Sequence, residues 1–425
     1  MPIHRRPAVF VGLLLLTPGC TSKAPASQAP PVAPSPAAPT PTAQAASTPH
    51  ESEGKDFAAD VRLLYRVAAC GQGEGPLPAN IDAAVLDEHC GWLVPRIKRY
   101  QKDYLVGAEK FIAKLRPPSL PTTLVYPFGG GDLLSALTTY PEATEVTTLS
   151  LEHAGDPRRI EEMDKGPVAH SLALFRKSIA GLLCCNDSTS KNLMQMERAD
   201  IPSQLSFFMV GLAVHGYEPV SLRYFTVQPD GTLHYLGADE IAAAEKRTAR
   251  RLNLSWVSPN FSEAFSNAEL TFRLRGQNEA PLRVHRHIAA NLSDRFMAKD
   301  GGVLKHLEAK GQVTAMTKAA SYLLWNPAFV KVRDYLLGHM VFMVSDSTGI
   351  PPRFAKKAGF VQETYGKFTG PFLKTSKQYG DEFVQLWSGQ PYRPLPFRYG
   401  YPEATKHWHM LITKKPDLKV EAKTK

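Results

Sequence analysis

Residues 122–152 read TTLVYPF-GGGD-LLSALTT-YPEAT-EVTTLSL-E, and this stretch decides the fold. Thr122–Phe128 is an apolar run rich in β-formers, which predicts a strand. Gly129, Gly130, Gly131 and Asp132 make a turn, with Asp132 placed to cap a helix expected over Leu133–Thr139. Glu145–Leu151 is a second β-rich run, and Glu152 follows it. Strand, glycine turn, helix, strand and acid form a βαβ unit. Its strands must run parallel, because the helix carries the chain back before the second strand starts. The expected fold class is α/β: a Rossmann-like mixed, mostly parallel sheet with helices on both faces, plus a small N-terminal helical cap.

Downstream, apolar periodicity predicts helices at 167–184 and 202–216, and strands at 219–227 and 232–236 joined across Pro229-Asp230-Gly231. Strands at 270–275 and 282–290, helices at 301–324 and 327–338, and a strand at Met340–Ser345 follow. Leu395–Tyr401 and His409–Thr413 read as a closing pair, so the α/β domain spans 117–413 and a charged tail spans 414–425. Upstream, Asp56 is placed to cap a helix that begins at Phe57. A short helix at Ile81–Glu88 and a longer one at Val94–Leu115 complete a cap over 57–116, ended by Pro117-Pro118.

The N-terminus sets the location. Arg5 and Arg6 precede an apolar run, Ala8–Leu16, and then Thr17-Pro18-Gly19-Cys20. Residues 1–19 therefore read as a lipoprotein signal peptide, with Cys20 lipidated. The run is shorter than the ~20 residues that span a bilayer, so a lipid, not a helix, is the expected membrane attachment. Thr21 is not the Asp of inner-membrane retention, which points to the outer membrane, facing the periplasm or the cell surface. Residues 20–56 follow as a disordered tether, with eight prolines between 21 and 56; at up to ~3.1 Å per residue, roughly 30 extended residues reach ~90 Å. Export puts the cysteines in an oxidising compartment. Cys70 and Cys90 are expected to bridge, which stabilises by about 3 kcal/mol in the chain-entropy model. Cys184 and Cys185 read as buried free thiols.

Composition is that of a globular protein, with 43% hydrophobic and 21% charged residues and a net charge of +10. The basic residues are dispersed; the densest group, Lys246-Arg247 with Arg250-Arg251, reads as a solvated helix face. Nucleic acid is excluded as a partner by location. The expected partners are the membrane, through the anchor, and an envelope glycan or protein.

Gly129, Gly130, Gly131, Asp132 and Glu152 are the candidate ligand-binding residues, since strand exits of α/β sheets collect ligands. Asp346 follows the strand at Met340–Ser345, so Asp132, Glu152 and Asp346 are the candidate acid, base or metal-ligand residues of a hydrolase or transferase. His285 and His287 fall on one strand face, His407 and His409 repeat the spacing, and Arg273, Arg275 and Arg283 add positive charge nearby. No metal set and no cofactor is expected: the turn is not Gly-x-Gly-x-x-Gly, and no Walker loop, Gly-x-Ser-x-Gly elbow or His-Glu-x-x-His is present.

Several segments occur in a characteristic order: Tyr126-Pro127-Phe128-Gly129-Gly130-Gly131-Asp132, Leu151-Glu152 with Gly155, Lys318-Ala319-Ala320-Ser321-Tyr322-Leu323, Val332-Arg333 with Leu336-Leu337, Thr348-Gly349-Ile350-Pro351 with Arg353-Phe354, and Tyr365-Gly366 with Pro371-Phe372. In this order they resemble a family of uncharacterised bacterial proteins, many of them exported, over roughly residues 122–402. The resemblance implies one continuous domain and interest in Asp132, Glu152 and Asp346; it supplies no reaction. The family has two consecutive acids where this chain has Asp346 and Ser347, and a Pro where it has His153.

A Cys20→Ser chain is expected to lose incorporation of labelled palmitate and to leave the membrane fraction. Unchanged labelling would remove the anchor.

Overall fold

Ten strands share one sheet in the computed structural model, which describes residues 54–73, 76–185, 196, 200–248, 262–299, 301–318, 320–346, 348–368, 377–399 and 408–418. The leader, Cys20 and most of the tether lie outside the described residues. The strands are β1 (Thr123–Pro127), β2 (Glu145–Ser150), β3 (Tyr217–Val227), β4 (Leu233–Tyr235), β5 (Asn267–Leu274), β6 (Arg283–Ala289), β7 (Val313–Met316), β8 (Met340–Ser345), β9 (Val361–Gly366) and β10 (His409–Lys414). Their order is β4-β3-β5-β6-β2-β1-β7-β8-β10-β9.

The expected βαβ unit is present. β1 and β2 pair in parallel, from Thr123 opposite Glu145 to Pro127 opposite Leu149. A helix at Leu133–Thr139 joins them. The parallel block extends over β6-β2-β1-β7-β8. Both flanks are antiparallel, so the sheet is mixed and only partly parallel, a correction to the mostly parallel expectation. The cause is local on one side: β3–β4 and β5–β6 have connections too short for a crossover, which allows only hairpins. Along β1, Leu124 and Tyr126 belong to one buried cluster and Val125 to the other; on β8, Phe342 and Val344 face one and Met343 the other. Alternate side chains point to opposite faces, so these central strands are covered on both sides, as near-continuous apolar runs require.

Ser52–Lys425 forms one compact unit. The helices of 57–116 share the first cluster through Leu64, Tyr65, Leu93 and Tyr100. Several expectations fail here for identifiable reasons. The second helix is continuous from Ala83 to Tyr100, with Pro95 inside it. It is prolonged by a wide turn at Gln101–Leu105 and a helix at Val106–Ala113. Asp56 does not cap the first helix, Ala58–Ala69; its carboxylate accepts instead from Ser221 Oγ and Leu222 N of β3. The helix expected over 301–324 stops at Glu308. Gly311, at φ 67°, then turns the chain into β7. Residues 395–399 are irregular rather than a strand.

Cys70 and Cys90 are bonded, with Cα atoms 5.6 Å apart, well within the reach of a disulfide. Cys184 is exposed where the helix Lys165–Cys185 ends in solvent, and it is disulfide-bonded, its partner outside the described side chains. This corrects the reading of a buried free thiol. Among the described residues no helix is long and apolar enough to cross a membrane.

With Cys20 replaced by Ser, Cys185 is the one thiol left for Cys184. Alkylation and intact mass are then expected to find no free thiol before reduction; two would refute the pairing.

Candidate functional site

β1 and β7 are neighbours, yet β2 follows β1 to one side and β8 lies on the other side of β7. The strand order therefore diverges between them. In open α/β sheets the crevice outside the strand ends at such a point is where ligands collect. Three candidate elements leave the sheet there: the glycine turn after β1, Lys318 after β7 and Asp346 after β8.

At the β1 exit, Asp132 caps the helix it precedes, its Oδ1 accepting from Ser135 N at 3.1 Å. Its Oδ2 lies 2.6 Å from Lys318 Nζ and accepts from Tyr126 OH at 3.1 Å. Lys318 Nζ also donates to Ser135 Oγ at 2.8 Å. The side chains of Lys318 and Asp132 are 1% and 0% exposed. Removing two charges from water is costly, and the pair survives because each atom is also hydrogen-bonded. The consequence for binding is direct. The helix N-terminus, where a dinucleotide-binding unit holds a pyrophosphate, is filled by the chain's own carboxylate.

Gly129, Gly130 and Gly131 are buried. A Cβ on Gly131 would stand 2.7 Å from Gln204 Oε1 and 3.0 Å from Phe207 Cβ, and one on Gly129 would meet the Tyr126 ring at 2.7 Å. These two glycines serve close approach to protein, from Tyr126 below and from the helix Ser203–Val214 above.

Asp346 is 1% exposed. Its Oδ1 accepts from Thr348 N and Thr348 Oγ1, both at 2.9 Å, and from Ser321 Oγ. Its Oδ2 has no hydrogen-bond partner among the described residues. Burial pushes the hydroxyls of Tyr126 and Tyr399 well above the usual range, and the charges of Asp132 and Asp346 add to the effect on both. Two of the three candidate acids thus act on the same buried tyrosines. No hydrogen bond or ion pair joins Glu152 to them: it is half-buried past the end of β2, and its main-chain oxygen accepts from His287 Nε2 at 2.7 Å.

That bond fixes a chain of tautomers. His287 Nε2 carries the proton, so its Nδ1 accepts from Thr148 Oγ1 at 3.0 Å. The Thr148 oxygen then accepts from His285 Nε2 at 2.9 Å, and His285 Nδ1 is left a bare acceptor. The two histidines share a face, as their spacing requires, and Phe208 packs on both. Among the described residues no group of three or more His, Cys, Asp or Glu side chains is arranged to hold a metal. His407 lies outside the described residues, and His409 is buried on β10. Arg273 pairs with Glu218, and Arg283 donates to the carbonyls of Pro141 and Ala143.

Lys318 was not a candidate from sequence. Its signal, a basic residue at a strand exit, is visible only once β7 is recognised.

Asp132→Asn is expected to cost about 3–5 kcal/mol in urea unfolding, because Lys318 loses its counter-charge. Adding Lys318→Met should recover part of that loss, and strict additivity in the double variant would deny the pairing. Acid should also destabilise the fold. Burial lowers His89 and His287 to about 4, against ~6.5 when unfolded. Between those values the unfolded chain binds more protons, so stability is full above about pH 6.5 and falls toward pH 4, by up to about 3 kcal/mol per histidine. A flat unfolding midpoint across that window would contradict the burial.

No protein-family model, curated protein or solved structure matches this chain.

Proposed function

We propose that this chain is a lipid-anchored protein of the outer membrane that binds an envelope component through the crevice at the exits of β1, β7 and β8. The signal-like segment before Cys20 and the proline tether support the location. The divergence of strand order between β1 and β7 supports a Rossmann-like arrangement with helices on both faces, and the resemblance to an exported bacterial family is consistent with both. The observation that carries the binding reading is Asp346 Oδ2, a buried carboxylate oxygen with no hydrogen-bond partner among the described residues. A buried acceptor left unpaired costs ~1–3 kcal/mol or more, and a ligand donor would relieve that cost.

A hydrolase or transferase using Asp132, Glu152 and Asp346 is the weaker reading. The carboxylates of Asp132 and Asp346 each accept a backbone amide, from Ser135 and Thr348. Asp132 is further neutralised by Lys318. These are the bonds of a helix cap and a local turn, and they leave Asp132 little freedom to take up or deliver a proton.

Asp346→Asn tests the binding reading with little risk to the fold, since its amide can keep an oxygen toward Thr348 and Ser321. Solubilised peptidoglycan or lipopolysaccharide is expected to raise the melting temperature of the wild-type chain and not that of the variant. Equal shifts in both, or none in the wild type, would refute the crevice.

A further inference from the structure

The solvent side of the cap carries charge of one sign. The helices Ala83–Tyr100 and Val106–Ala113 run on through the wide turn Gln101–Leu105, and Leu93, Ile97, Tyr100, Leu105, Ala108 and Ile112 are buried along them. Lys98, Arg99, Lys102, Val106, Lys110 and Lys114 are exposed. At ~100° per residue the two sets fall on opposite sides of the helix. The wide turn makes this alignment. Val106 N bonds there to Gln101 O, five residues back, so the turn holds one residue more than an α-turn. Eight α-helical residues would leave Lys110 ~80° away from Lys102, and the extra residue cuts that to about 20°. Cations spread through 98–114 in sequence thus line up in a stripe ~24 Å long.

A solvated helix face is ordinarily laced with acids three or four residues from its bases. Here the acids stand at the flanks. Asp103, four residues after Arg99, is exposed at one side, and Glu109 is half-buried at the other, 3.6 Å from His215 Nδ1. None of the five cations has an ion-pair partner among the described residues; the neighbouring pairs, Arg116 with Glu142 and Arg176 with Glu88, are made by other side chains. The middle of the stripe is apolar. Val106 is 62% exposed, more than any other large aliphatic side chain among the described residues. A Cβ on Gly107 beside it would meet nothing within 4 Å, so packing does not demand that glycine.

We propose that this stripe lies flat on an anionic lipid surface, as a second contact between the domain and the membrane that holds Cys20. The inference uses the anchored location proposed above and makes no use of the crevice. Interfacial helices set apolar side chains into the headgroup boundary with cations around them, and each cation near an anionic leaflet strengthens binding about fivefold. A soluble polyanion would match the charges and gain nothing from Val106 at their centre. The tether leaves every face of the domain within reach of the membrane, so the stripe selects the one that meets it.

The test uses residues 21–425, which lack leader and lipid and keep the whole compact unit Ser52–Lys425, in sedimentation with vesicles. Mixed phosphatidylglycerol and phosphatidylcholine vesicles are expected to bind at least about tenfold more tightly than phosphatidylcholine alone, an advantage lost between about 0.05 and about 0.5 M salt. Lys102→Glu with Lys110→Glu should weaken binding at least about tenfold. Lys246→Glu with Arg247→Glu removes the same charge from the exposed end of the helix Ala238–Thr248 and should change binding less than about twofold, as should Asp346→Asn in the crevice. The substituted lysines and arginine are exposed, so both charge-reversed pairs should keep the wild-type melting temperature. Equal losses in the two pairs, or equal binding to neutral and anionic vesicles, would overturn the stripe. Loss in Asp346→Asn would move the vesicle contact to the crevice and overturn it too. If soluble polyphosphate binds and phosphatidylglycerol vesicles do not, the lipid assignment fails.

Discussion

The buried pair of Lys318 and Asp132 holds the centre of this molecule together. One carboxylate caps a helix, accepts a tyrosine hydroxyl and neutralises a lysine from the neighbouring strand exit. It therefore ties β1, β7 and the helix between β1 and β2 to one point, at the place where the sheet's connectivity divides. Apolar packing already resists a one-residue slip, which would turn each side chain to the opposite face, and the buried charges add to that resistance. Separating the pair would leave an ion without its partner at a cost of several kcal/mol.

Around that pair the polar groups differ in how fully they are satisfied. Thr148, His285 and His287 form a chain in which all but one nitrogen has a partner, and whose protons are ordered by the carbonyl of Glu152. Networks of this sort rigidify a core. The Gln204 amide and the outer oxygen of Asp346 are buried with no hydrogen-bond partner among the described residues, as are Thr147 Oγ1 and Thr317 Oγ1. Natural cores tolerate few such atoms, and each calls for a reason.

The legible part of the fold was local. Leu133–Thr139 is helical over the residues its sequence indicates, and β8 matches Met340–Ser345, because capping and apolar periodicity act over a few residues. β7 was invisible because Val313–Met316 is four residues long, with an apolar content that continues the preceding helix pattern; Gly311 was the available stop signal. The break expected between Glu88 and Val94 is absent, since packing of Leu93, Ile97 and Tyr100 carries one helix from Ala83 through Pro95. Asp132 was legible as a cap. Its partner was not, because Lys318 reaches this turn from 183 residues beyond Ser135, and no local pattern encodes such a contact.

The placement of β10 has a consequence for how this protein comes into being. It lies between β8 and β9, antiparallel to both, so the connection from β8 to β9 leaves a gap one strand wide for a segment that begins at His409. Until that segment arrives, two strand edges stand open and the sheet cannot close. Among the described strands β9 is held to the sheet through β10 alone, so the two must enter it as a pair or with His409–Lys414 first.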